Sequence, residues 1–108
     1  MDDMSAAMDD AYDRKLTIYF RENHASATAH YDDAELLDVI SSARARAPSY
    51  GIRGGEGTRK FIYLAVLISP TFDDHPTVNR YLKQPDLDPD FKIVSLAHQV
   101  GHDIGERS

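Results

Sequence analysis

An all-α fold is what the sequence predicts: a compact bundle of four to five helices around a buried central helix at residues 58–68. Three observations carry this. Apolar residues recur at helical spacing through the longer segments. Start and stop residues bracket those segments. The run "TRKFIYLAVLISP" is apolar on nearly every side, as a helix surrounded by other helices must be. The alternative is a small α/β domain with "KLTIYF", "FIYLAVLI" and "FKIVSL" as strands, because a buried strand tolerates the same apolar runs.

Each element can be justified in order. Residues 4–23 open on acids, which complement the positive end of a helix dipole. Met8, Tyr12, Leu16 and Tyr19 then form one helical stripe. Residues 1–8 are expected to fray. Residues 24–32 are small and polar and read as a loop. Asp32 or Asp33 caps a second helix, with Leu36, Val39, Ile40 and Ala43 on its apolar face and Arg44 and Arg46 in its last turn. Pro48 and Gly51 end it.

In the central run, Phe61, Leu64, Ala65 and Ile68 make one stripe, while Ile62, Val66 and Leu67 fill the other sides. Pro70 stops it. Asp74 or His75, followed by Pro76, starts a short helix carrying Val78, Tyr81 and Leu82. Asp88, Pro89 and Asp90 start the last helix. Phe91, Val94 and Ala97 line its inner face, and Ile93, Leu96 and Val100 widen it. Gly101 is its stop, and 103–108 is expected to be a flexible tail.

The chain has 108 residues, which fits a single domain over 1–108. A domain of this size buries roughly 65% of the surface its unfolded chain exposes, enough for one core. Eighteen acids against twelve bases give a formal charge of −6. Nucleic-acid binding usually shows a basic footprint, so this balance disfavours it, as it disfavours an anionic membrane surface. It favours a basic protein partner. Without cysteine there is no disulfide, thiolate metal site or cysteine nucleophile. The acidic start "MDDMSAAMDD" lacks the basic and apolar regions of a signal peptide, so a cytoplasmic location is expected.

The stretch "YGIRGGEGTRKF" holds four glycines, with Arg53, Arg59 and Lys60 nearby. Amides at a helix start, with cations beside them, can bind a phosphate. The spacing fits no nucleotide motif, however. A Walker loop needs a Lys directly before Ser or Thr, but here Thr58 precedes Lys60, and only Gly55 and Gly57 match part of a dinucleotide fingerprint. The simpler reading is a joint: Gly51 closes one helix and Gly54 opens the next.

In "HQVGHD", His98 and His102 are four residues apart, a spacing that can place two ligands on one helical face. A zinc-protease motif needs a glutamate where Gln99 stands, and Gly101 weakens the helix there. "FDDHP" sets Asp73, Asp74 and His75 in a row, but reads more simply as a helix start with Phe72 in the core. The serines lack a nucleophile elbow. No catalytic, cofactor or metal residue is assigned and no enzyme activity is expected. The alternative is a small enzyme that uses a metal at His98 and His102, or a phosphate ligand at residues 54–60, from Gly54 up to Lys60. Asp2, Asp3, Asp9, Asp10 and Asp13 form an acidic stretch which, with Asp32, Asp33, Asp73 and Asp74, can steer a basic partner.

Two segments carry a resemblance. Ala47, Tyr50, Gly51 and Ile52 match an Ala-x-x-Tyr-Gly-Ile turn, and Pro70, Phe72, Asp73 and Pro76 match a Gly-Pro-x-Phe-Asp-x-x-Pro segment after an apolar helix. In this pattern the chain resembles small bacterial proteins encoded beside type VI secretion effectors. It departs from them at the turn, where Gly54 and Gly55 precede Glu56 in place of a Ser or Thr cap. The resemblance implies a helical, non-enzymatic binding protein that serves a secreted antibacterial toxin as an immunity protein or accessory factor. Asp32, Asp33, Arg53, Asp73 and Asp74 are the expected partner contacts. A homodimer is compatible with the same sequence.

Overall fold

A computed structural model describes residues 2–103, with side chains at 11–99. It contains α1 (Asp2–Asn23), α2 (Ala25–Thr28), α3 (Asp33–Arg46), a 3-10 turn (Ala47–Tyr50), α4 (Gly55–Leu67), a second 3-10 turn (Phe72–Asp74), α5 (Pro76–Lys83) and α6 (Pro89–Asp103). No strand occurs among the described residues. The three runs that could have been strands lie in α1, α4 and α6. Among the described residues no helix is long and apolar enough to cross a membrane. The fraying expected of 1–8 and the tail expected over 103–108 fall at or beyond the edges of this description.

Helix α4 is the centre. Phe61, Ile62, Leu64, Ala65 and Val66 are all buried, and α3 and α6 pack against it on either side. α3 contributes Leu36, Ile40 and Ala43, α6 contributes Ile93 and Ala97, and α1 adds Leu16 and Phe20. Phe72 plugs into this core edge-on to Phe61, with ring centroids 4.9 Å apart.

Local chemistry explains the helix starts. Asp32 and Glu35 form a reciprocal capping box: Glu35 N–H donates to Asp32 Oδ1 (2.7 Å) and Asp32 N–H to Glu35 Oε1 (2.9 Å). His75 caps α5 ahead of Pro76, and Asp88 accepts from the Phe91 amide ahead of α6.

Three expectations need correction. The loop over 24–32 contains the short helix α2, whose Thr28 is fully buried, its hydroxyl donating to His24 O at 2.9 Å. Arg21 holds this corner by donating to the carbonyls of Thr28 and Tyr31, each at 2.7 Å. Ile68 is 46% exposed because α4 ends at Leu67 and the chain turns away before Pro70. Phe91 is 57% exposed, while Lys92 beside it is fully buried. Lys92 takes the inward position because its ammonium meets the C-terminal end of α5. It donates to the carbonyls of Tyr81 (3.1 Å), Leu82 (3.0 Å) and Gln84. Carbonyls at the end of a helix form its negative pole, which a cation neutralises; of these three, Tyr81 O also accepts from the Gln84 amide at 3.3 Å.

Buried ion pairs join the other elements. Asp13 of α1 is 2% exposed and receives a two-pronged contact from Arg44 of α3, Nε to Oδ1 at 2.8 Å and Nη2 to Oδ2 at 3.0 Å. This geometry gives direction as well as charge. Asp13 therefore does not belong to the acidic surface expected from the sequence.

Replacing Lys92 with methionine keeps the apolar stem but removes the ammonium and its bonds to the carbonyls of Tyr81, Leu82 and Gln84. We expect a stability loss of about 1–3 kcal/mol. It should be read as a lower urea midpoint at unchanged slope. An unchanged midpoint would mean that water satisfies these carbonyls.

Candidate functional site

The glycine stretch folds as a receptor for one of the protein's own carboxylates. Gly51 ends the 3-10 turn at φ 83°, the left-handed conformation that favours glycine. Gly54 then caps α4 with no side-chain partner of its own. The missing cap comes from Asp90 of α6: Arg53 N–H donates to Oδ1 (3.1 Å) and Gly54 N–H to Oδ2 (2.8 Å). A Cβ on Gly54 would lie 2.6 Å from Asp90 Oδ2, and one on Gly57 closer still. Both residues are small so that this carboxylate can approach.

Asp88 and Glu56 line the same cleft, which makes it acidic. At residues 54–60, considered above for a phosphate, an internal anion holds the start of α4 beside two further acids. Arg53 itself is exposed.

The two segments that carried the family resemblance meet in space. Tyr50 OH donates to Asp73 Oδ2 at 2.9 Å. Arg46 grips the same carboxylate through Nε (3.1 Å) and Nη2 (2.8 Å), and Nη2 also donates to Pro70 O at 2.8 Å. Asn79 closes the network on Tyr50 OH and Asp73 O, each at 3.2 Å. Ile52 and Phe72 are buried beside it, and Pro76 begins α5.

Asp73, expected to contact a partner, is only 2% exposed and serves as the counter-ion of this joint. That expectation is corrected. A charge this deep is kept only when paired, and Arg46 pairs it. Burial pushes the Tyr50 phenol above its ordinary pKa, and the hydrogen bond to Asp73 and that residue's charge push it further.

The other expected partner residues sit at the surface. Asp32 is exposed but engaged in the capping box, and Asp33 pairs with Arg21 at 3.0 Å. Asp74 is exposed on the rim of an apolar groove of about 490 Å³ lined by Leu64, Ile68, Phe72 and Leu96. His98 is exposed, while the side chain of His102 lies outside the described residues. Among the described residues, no three His, Asp or Glu side chains form a group able to hold a metal ion.

The arrangement that sequence reasoning missed is a groove of about 600 Å³ between α1 and α4. Tyr12, Lys15 and Tyr19 come from α1, and Arg59, Lys60 and Tyr63 from α4. Lys60 Nζ lies 5.8 Å from the centre of the Tyr63 ring. His24 bridges the rings of Tyr19 and Tyr63, at 5.9 and 5.8 Å. Burial pushes the Tyr12 phenol up; Arg59 opposes this and Asp13 reinforces it. Arg59 and Lys60 were noticed only as neighbours of the glycines. Nothing local links them to Lys15 and Tyr19, forty or more residues earlier.

A scan against protein-family models, a search of curated proteins and a search of solved structures each return no match to this chain.

Two outcomes test the joints. Gly57→Ala should destabilise, because its methyl would collide with Asp90 and lie 3.0 Å from Ile52 Cγ2. In an Asp90→Ala background much of that penalty should vanish, giving a coupling of about 0.5–3 kcal/mol in a double-mutant cycle. Strict additivity would refute the carboxylate-receptor account. For Tyr50, the folded pKa is raised, so its contribution is complete below the unfolded value of about 10 and is lost as pH rises through the folded value. Above pH ~10, wild-type stability should fall more steeply than that of Tyr50→Phe, by up to about 1.4 kcal/mol per pH unit. Parallel profiles in alkaline urea titrations would exclude this linkage.

Proposed function

We propose that this protein is a non-enzymatic protein-binding domain, working inside a bacterial cell as an immunity protein or accessory factor for a secreted antibacterial toxin. One observation carries the binding role. The buried polar groups are occupied in holding helices together, while a cationic, tyrosine-lined groove stands open between α1 and α4. Asp13 serves Arg44, Asp73 serves Arg46 and Tyr50, and Lys92 serves the end of α5. Tyr19, which lines the groove, is 47% exposed, and its chain neighbour Ile18 57%. Tyrosine is enriched in protein interfaces because it offers apolar area with a polar tip.

The toxin-related role rests on the resemblance given above, and its two motif segments are the ones joined at the Asp73 network. Exposed Asp32, Asp33 and Asp74, with Arg53, remain the proposed surface for long-range steering, without Asp73. Net charge −6 suits approach to a basic partner.

Co-purification of the tagged protein with the product of the adjacent gene tests this reading. The expected outcome is a stable complex at low salt and protection of a sensitive strain when the two genes are co-expressed. Recovery of no complex at any salt concentration, with no protection, would remove both the binding role and the toxin link.

A further inference from the structure

The protein's positive charge is unevenly distributed, and the uneven part points to a ligand. Arg21, Arg44 and Arg46 are each paired with an aspartate, and Lys92 is buried on carbonyls. Lys15, Arg59 and Lys60 differ: among the described residues, none of the three has an ion pair. All three line the groove between α1 and α4, one from the first wall and two from the second. Arg80 and Lys83 are also exposed, but their cleft on α5 contains no aromatic ring. In the α1–α4 groove, Tyr12, Tyr19 and Tyr63 line the same walls as the cations, with His24 completing a row of rings from Tyr19 to Tyr63. Asp13, the acid nearest Tyr12 in sequence, is turned inward to Arg44.

We propose that this groove receives a short acidic segment of a protein partner. Lys15, Arg59 and Lys60 meet its carboxylates, and the tyrosine rings and Leu16 receive its apolar or aromatic side chains. The inference rests on the protein-binding reading above and names the chemistry of the contact.

Three considerations select this occupant. A cavity of about 600 Å³ exceeds what a single inorganic anion fills and suits several side chains. A long nucleic acid gains affinity by neutralising many phosphates. This groove offers three cations on a protein of net charge −6, so a polyanion extending beyond it meets repulsion. A short acidic segment keeps the local attraction without that penalty. Exposed Tyr19, which lines the groove, provides apolar area for flanking residues, which a bare anion would leave in water.

The test uses the full chain and a fluorescein-labelled synthetic peptide of glutamates interspersed with phenylalanine and leucine. A control peptide has glutamine at every glutamate position. We expect saturable anisotropy with the glutamate peptide at low salt, weakening as salt rises. Amide shifts in ¹⁵N spectra should cluster at Tyr12, Lys15, Tyr19, Arg59, Lys60 and Tyr63. Lys15→Glu with Arg59→Glu, both exposed positions, should keep the thermal midpoint and weaken binding at least about tenfold. Tyr19→Ser should weaken it without changing the salt dependence.

No saturable binding, equal binding of the glutamine peptide, or shifts centred elsewhere would overturn the proposal. So would inorganic phosphate or a thymidine oligonucleotide producing the same shifts at lower concentration than the peptide. If the adjacent-gene product binds but its affinity survives Lys15→Glu with Arg59→Glu, the groove assignment fails and the binding function stands. If the peptide titrates the groove but no complex with that product forms, the toxin-related reading fails and the groove assignment stands.

Discussion

Helix α4 has a broad apolar face that cannot be left in water, and the other helices are arranged to meet that constraint. Phe61, Ile62, Leu64, Ala65 and Val66 together cover an arc of roughly 200° around the helix axis, leaving Arg59, Lys60 and Tyr63 on the remaining side. Apolar burial of this kind contributes roughly 1.5–3 kcal/mol per large side chain. It requires α3 and α6 on opposite sides and α1 with Phe72 closing gaps. The first amides and last carbonyls of such a helix lack intrahelical partners and must find others. The glycine turn before α4 supplies no side chain for the task. Asp90 of α6 does so from outside, which ties the enclosing helix to the start of the helix it encloses.

The same device recurs at other joints. Lys92, two residues after Asp90, turns the other way and closes the end of α5. Arg46 at the end of α3 reaches Asp73 and the Pro70 carbonyl, fixing the chain as it leaves α4. Arg44 reaches back to Asp13 of α1. Each link pairs a charge with a partner from another element. Removing one partner leaves the other, buried in the case of Asp13, Asp73 and Lys92, uncompensated. Charge in this small domain thus selects one mutual arrangement of helices whose apolar faces alone would accept several.

This has a functional consequence. Acids that look like a surface feature in the sequence are divided by the fold into two populations. Asp13, Asp73 and Asp90 are structural, whereas Asp33 and Asp74 face solvent. The bases divide likewise: Arg21, Arg44 and Arg46 pair with aspartates, whereas Lys15, Arg59 and Lys60, three of those without an ion pair among the described residues, gather with tyrosines between α1 and α4. Net charge describes the far field of this protein, but the groove's local sign is opposite to it. A partner guided by the first can still be selected by the second.

Much of the fold was legible because its signals are local. Periodic apolar residues, Asp32 with Glu35, the Asp88–Pro89 start and Gly51 at a turn each act within a few residues, so they determined an all-α chain and most of its boundaries. Phe91 and Lys92 show where local reading stops. Hydrophobic patterning placed Phe91 inward, yet Lys92 is buried because the end of α5, ten residues upstream, offers carbonyls to its ammonium. The candidate site was less legible for the same reason. The sequence by itself determined that the glycine stretch is a joint between helices and fits no nucleotide motif. Only tertiary structure decided that Asp90 holds that joint, that Asp73 is buried, and that Lys15 and Arg59 line one groove. Those contacts join residues far apart in the chain, and charges at such distances leave no periodic trace in the sequence.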